Sequence, residues 1–219
     1  MALGGALGAY RLVSVVNEGV EVAARLNRAG VTVFVLTYRL PGEGWERRAD
    51  VPLQDAQRAV RLIRARAAQF QIDPEKLSVL GFSAGGHLAA TLATQSDEST
   101  YVGVDAADQL SARPFAAALI YPVVTMSPTD ADIRRRSAEL HVDAGTRPVF
   151  AVHARDDPAV PVENTLNLVA AMRAAKRPIE AHLLQEGGHA FGVGYPPTPS
   201  ALWPELLLAW LNRLGSPRP

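Results

Sequence analysis

The sequence predicts an α/β chain: a doubly wound, mostly parallel sheet flanked by helices. Three observations predict it. Short apolar runs alternate with amphipathic stretches along the 219 residues, the pattern of strands joined by crossover helices. One apolar run, Leu77, Ser78, Val79 and Leu80, passes through a glycine-flanked turn directly into a helix-forming stretch. Loops rich in acid and glycine follow later apolar runs, and open α/β sheets place their sites beyond the carboxyl ends of strands.

In chain order, the small residues Gly4, Gly5, Ala6, Leu7, Gly8, Ala9 and Tyr10 read as a turn, with no residues before it to form preceding strands. The first recognisable strand is 31–38. A helix follows at Pro52, where Leu53, Ala56, Val60, Ile63 and Ala67 recur at helical spacing. Arg58, Arg61, Arg64 and Arg66 fall elsewhere around that wheel and read as a solvated face, not a nucleic-acid surface. Strand 77–80 and helix 84–93 come next, then strands at 116–121, 148–153 and 179–184. A closing helix spans 204–214, with Trp203, Leu206, Leu207, Trp210 and Leu211 expected in the core. Two polar connections, 96–114 and 125–148, are expected to wall a site, the second as a small lid.

Composition bounds the function. Lys and Arg number 22 against 22 Asp and Glu, a balance that argues against nucleic acid or an anionic membrane as partner. Absence of cysteine excludes disulfides and a thiol nucleophile. The length suits one domain over residues 1–219. No apolar run is long enough to span a bilayer, and the N-terminus lacks the basic and apolar regions of a signal peptide, so the cytoplasm is the expected compartment.

The chemistry centres on Gly81, Phe82, Ser83, Ala84 and Gly85. A G-x-S-x-G turn between strand and helix holds its serine on a strained bend, and small flanking residues let the two backbones approach. Backbone N–H groups at the helix start, beginning with Ala84, are free to stabilise an oxyanion. An acid and a histidine follow in the order Ser, Asp, His. Asp156 and Asp157 lie in a turn just past strand 148–153, and His189 lies in the loop Gln185, Glu186, Gly187, Gly188 beyond strand 179–184. A serine hydroxyl needs an imidazole to take its proton, and the imidazole needs a carboxylate to hold its tautomer. His87, His141, His153 and His182 read as packing, loop or strand histidines. His87 in particular lies one turn along the helix from Ser83, pointing away from where a base must stand.

The blocks Gly81 to Ala89, Asp157 to Pro161 and Gly187 to Gly192 resemble those of bacterial α/β-hydrolase-fold esterases, and within them the acetyl-xylan and feruloyl esterase-like carbohydrate esterases, neighbours of the prolyl oligopeptidase-type hydrolases. The resemblance runs from about Tyr10 onward. It implies Ser83 as nucleophile, His189 as base and Asp157 as acid, because the family spaces its acid three residues before a Val-Pro pair, here Val160 and Pro161; Asp156 is then a brace for the turn. It implies no metal and no cofactor. Family members also carry a Pro-Gly-Gly-Gly-Tyr turn that supplies a second oxyanion donor, for which Gly8 and Ala9 are the matching candidates. The strands preceding that turn are missing here, so the expected fold is an N-terminally shortened α/β-hydrolase. Three outcomes follow: strand 31–38 slides inward beside the elbow strand, a second copy covers the exposed edge as a homodimer, or the coding start lies further upstream. The function implied is a serine carboxylesterase for short, acetyl-type esters of small molecules or carbohydrates, since neither connection is long enough for a large cap. An oligopeptidase- or amidase-like hydrolase and a catalytically degenerate relative are the alternatives. Tyr121, Phe191 and Trp203 are expected in the core sooner than in the site.

Overall fold

Successive residues of a strand face opposite sides of a sheet, so a sheet covered by helices on both sides needs strands that are apolar throughout. The computed structural model describes residues 2–6, 10–127 and 129–215. It contains six strands, β1 (Ala2–Ala6), β2 (Val35–Leu36), β3 (Val79–Phe82), β4 (Ala117–Ile120), β5 (Val149–Ala154) and β6 (Ile179–Leu184), in the order β2-β1-β3-β4-β5-β6. All the pairings are parallel. Ala117 and Leu119 of β4, with Val149 and Ala151 of β5, enter one core cluster; Ala118, Ile120, Phe150 and Val152 enter the other.

Among the described residues the five longer helices cover those faces: α1 (Glu21–Asn27), α2 (Val51–Ala65), α3 (Ser83–Gln95), α4 (Glu163–Ala174) and α5 (Trp203–Gly215). Leu53 and Val60 of α2, Leu88 and Leu92 of α3, and Leu168 and Met172 of α4 fill the first cluster. Val22 and Leu26 of α1 fill the second with Trp203, Leu207 and Trp210 of α5. Leu206 is 36% exposed, so the closing helix buries a narrower stripe than its sequence suggests. The doubly wound, mostly parallel architecture is as expected.

Three local expectations are corrected. The small-residue stretch is not wholly a turn: Ala2–Ala6 is the strand beside the elbow strand, with Ala2 opposite both Val35 and Leu80. Strand 31–38 therefore does not slide inward. It contributes only Val35–Leu36, at the sheet edge. The gap on which the dimer expectation rested is filled by the chain's own residues.

The arginine face of α2 is not simply solvated. Arg58 pairs with Asp105 and Asp108, Arg61 donates to the Tyr101 hydroxyl and the Leu110 carbonyl, and Arg64 donates to the carbonyls of Pro74, Ser111 and Arg113. These bonds clamp connection 96–114 onto the helix. That connection follows α3 rather than a strand, which carries it away from the strand ends that face the elbow, and none of it lines the cavity described below.

Candidate active site

β3 ends at Phe82 in extended backbone (φ −120°, ψ 139°), and α3 begins at once with Ser83 at φ 50°. A left-handed serine at a strand-to-helix junction is strained, and such strain clusters at functional sites. The turn is possible only because its neighbours lack side chains. A Cβ on Gly81 would overlap the Gly85 carbonyl, and one on Gly86 would lie 2.8 Å from Pro122 Cβ. Ser83 is 4% exposed, and its carbonyl accepts a hydrogen bond from Val123 N (3.0 Å).

Two loops from beyond β5 and β6 meet this serine. His189 Nε2 lies 3.0 Å from Ser83 Oγ, and His189 Nδ1 lies 2.7 Å from Asp157 Oδ2. A carboxylate accepts only, so Nδ1 carries the proton and Nε2 is left to accept from the serine hydroxyl. The Asp157 side chain is fully shielded from solvent. Its second oxygen accepts from the Ala159 and Val160 N–H groups, both at 2.8 Å. This carboxylate is thus fixed by its own turn before it meets the imidazole.

Asp156 takes the other role expected of it. Its carboxylate accepts from Gly188 N (2.9 Å), stitching the acid turn to the histidine loop, and this bond leads the contacts that hold its pKa below the usual range. The histidine loop is left-handed at Gly188 and Gly192 (φ 62° and 52°), backbone that glycine adopts readily, and at Ala190 (φ 58°), where a residue with a Cβ is strained. Gly8 and Ala9 lie outside the described residues. Ala84 follows Ser83 at the start of α3, where its N–H has no partner within the helix.

The other histidines are satisfied elsewhere. His87 Nε2 donates to the Arg136 carbonyl (2.8 Å), so its Nδ1 accepts from the Tyr10 hydroxyl (2.6 Å); burial lowers its pKa to about 4. His141 and His182 bond to the Arg135 carbonyl and to Glu180. His153 is more than a strand histidine. Its Nε2 donates to the Val160 carbonyl (3.0 Å) and stands 3.3 Å from Asp157 Oδ2, while Thr165 bonds its Nδ1 (2.8 Å). Burial depresses its pKa, so a neutral imidazole backs the acid turn. The sequence signal for this was available: His153 lies four residues before Asp157.

Beside the elbow is a cavity of about 320 Å³ with a mainly apolar lining that includes Tyr10, Leu53, Ala84, Leu88, Met126 and Ile133. Connection 125–148 forms one wall, as expected. A buried ion cluster anchors that wall: Asp50, with no exposed surface, accepts from both Arg135 and Arg136, and Arg136 also pairs with Glu98. Burial pushes the Asp50 carboxyl up, but the two guanidinium groups outweigh it and hold the pKa below the usual range. Tyr121, Phe191 and Trp203 are all buried, as expected of core residues.

Comparison with known proteins gives the family and the fold. The BD-FAE family model matches residues 4–130, which include the elbow. Endo-1,4-beta-xylanase B of Butyrivibrio fibrisolvens is 33% identical over 192 residues, 81% of this chain and 30% of that protein. The acetylxylan esterase of Xylanibacter ruminicola is 28% identical over 207 residues, 85% of this chain and 40% of that one. The chain thus spans well under half the length of these curated relatives. Among solved structures, an acetyl ester-xyloside bifunctional hydrolase from Caldicellulosiruptor lactoaceticus superposes with a TM-score of 0.87 at 31% identity, covering 98% of this chain and 82% of that one. A carboxylesterase from Lactobacillus plantarum gives a TM-score of 0.79 at 25% identity, covering 99% and 86%. With more than half its length matched by the family model, and with an α/β-hydrolase sheet and elbow, the chain belongs to the BD-FAE family.

Proposed function

We propose that this chain is a serine carboxylesterase acting on short-chain, acetyl-type esters, with carbohydrate esters among its substrates. The observation that carries the reading is the hydrogen-bonded series Ser83 Oγ, His189 Nε2, His189 Nδ1, Asp157 Oδ2 on a strained elbow. Ser83 Oγ attacks the ester carbonyl while His189 Nε2 takes its proton. The oxyanion that forms faces the Ala84 N–H at the start of α3. His189 then gives the proton to the departing alcohol, leaving an acyl group on Ser83. Water, deprotonated by the same nitrogen, attacks that acyl group, and the proton passes from His189 to the departing Ser83 Oγ as the acid is released. Asp157 holds the imidazole tautomer and stabilises the imidazolium, remaining a carboxylate throughout.

The apolar cavity beside Ala84 supports an acyl group as its occupant, since a sugar there would lose its hydrogen bonds to water. The acetyl-directed names of the Xylanibacter and Caldicellulosiruptor relatives support acetyl esters on sugars. The test is hydrolysis of p-nitrophenyl acetate and butyrate, acetylated xylan and p-nitroacetanilide by the wild type and Ser83→Ala. Ester turnover that disappears with Ser83, and exceeds anilide turnover, supports the reading. Ester rates that Ser83→Ala leaves unchanged overturn it, and a dominant anilide activity transfers the site to amides.

A further inference from the structure

We propose that Glu18, acting through Tyr121, is a positioning residue for His189; the proposal rests on the esterase reading. Residues Val16–Val20 form a π-helical turn just before α1, and such turns occur often at functional sites. The turn sets Asn17 against the loop that carries His189, and Glu18 against Tyr121. Asn17 Nδ2 donates to the Ala190 carbonyl (3.2 Å). The Tyr121 hydroxyl donates to Glu18 Oε1 (3.0 Å) and accepts from Gly192 N (3.1 Å). Trp203 Nε1 donates to the Gly192 carbonyl (2.8 Å). Three polar groups of the backbone just after His189 are therefore pinned by side chains from the π turn, the end of β4 and the start of α5.

The Tyr121 ring also packs against the imidazole, with centroids 4.8 Å apart, and against Phe191 at 4.5 Å. Tyr121 itself is held left-handed, at φ 39°, a conformation an aromatic residue adopts only when its surroundings impose it. A Cβ on Gly192 would displace Asn17 Oδ1, and the left-handed backbone there (φ 52°) disfavours any side chain. Glu18 has no exposed surface, and its Oε2 has no hydrogen-bond partner among the described residues. A buried carboxyl with one unpaired oxygen is a costly way to hold a tyrosine in place. What its other oxygen secures is a continuous line from Glu18 through Tyr121 to the Gly192 N–H, three residues from the imidazole that must meet Ser83 Oγ.

The experiment compares Tyr121→Phe, Glu18→Ala and Glu18→Gln with the wild type and Ser83→Ala. The readouts are kcat and KM for p-nitrophenyl butyrate, with kcat normalised to the serine titrated by a fluorophosphonate, and the NMR resonances of the His189 imidazole. Tyr121→Phe removes a single oxygen, and Glu18→Gln keeps an acceptor of the same shape. We expect Tyr121→Phe and Glu18→Ala to lower kcat by about 10- to 100-fold with KM little changed, the cost of misplacing a catalytic group by about an ångström. Their His189 resonances should shift or broaden, and Glu18→Gln should restore both readouts towards wild type. Unchanged kcat per titrated serine, with unmoved His189 resonances, would overturn the proposal. If the wild type shows no Ser83-dependent turnover, the esterase reading fails, and the His189 resonances alone then decide whether Glu18 and Tyr121 position the ring.

Discussion

Two buried groups on either side of the elbow titrate in opposite senses, and their opposition is measurable. Burial pushes the Glu18 carboxyl from 4.5 up to about 7, against the hydrogen bond from Tyr121. Unfolded chain releases that proton near 4.5 while folded chain keeps it to about 7. The stabilisation is therefore complete below the unfolded value and is lost as pH rises through the folded one. His87 does the reverse. Burial takes it from 6.5 down to about 4, so unfolded chain binds a proton that folded chain refuses, and stability falls as pH falls through that window. Between about pH 5 and about pH 7, Glu18 costs about 2 kcal/mol and His87 contributes about 2 kcal/mol, so the two nearly cancel. Urea unfolding of the wild type, Glu18→Gln and His87→Gln at these two pH values separates them. Glu18→Gln should gain about 2 kcal/mol more than the wild type over the interval, and His87→Gln about 2 kcal/mol less. His153, whose pKa is also depressed by burial, is common to all three chains and drops out of the comparison. Three parallel dependences would refute the reasoning, because neither group would then change its proton affinity on folding.

Further outcomes follow from other parts of the site. Asp157→Asn should lower kcat by about 10⁴-fold while leaving Tm close to wild type, since the amide oxygen can still accept from Ala159 and Val160; stopped-flow esterase assays and thermal melts check both halves. Asp50→Ala should destabilise the fold by about 1 to 3 kcal/mol in urea, because the Arg136 guanidinium, 2% exposed, loses its buried carboxylate and keeps only Glu98 and Gln95. Met126→Trp fills part of the cavity beside Ala84, so the ratio of butyrate to acetate kcat/KM should fall by about 10-fold while acetate turnover persists.

How much of this was legible in the sequence depended on the range of the interactions involved. The elbow is local: Gly81 and Gly86 must be bare where strand and helix backbones touch, and that requirement is written in consecutive residues. The parallel sheet was legible for a similar reason, since strands buried on both faces are unbroken apolar runs. Ala2–Ala6 was not. Two adjacent glycines mimic a turn, and only the partners on either side, Val35 and Leu80, make it a strand. The arginine face of α2 misled in the same way, because its acceptors lie in connection 96–114, some 40 to 50 residues further on. Glu18 and Tyr121, 103 positions apart, left no trace in any window of sequence. The candidate triad lay between these extremes. Chain order and strand-end loops named Ser83, His189 and an acid at Asp156 or Asp157, and the family resemblance chose Asp157, but the bracing of Asp157 by His153 and of the histidine loop by Asp156 needed the fold.

The most direct test of the account is to treat the protein with a fluorophosphonate and locate the adduct by peptide mass spectrometry, in the wild type and in His189→Ala. The account predicts one adduct per chain, on Ser83, formed rapidly by the wild type and at least about 100-fold more slowly without the imidazole. An unlabelled Ser83, or one labelled equally fast in both proteins, would contradict it.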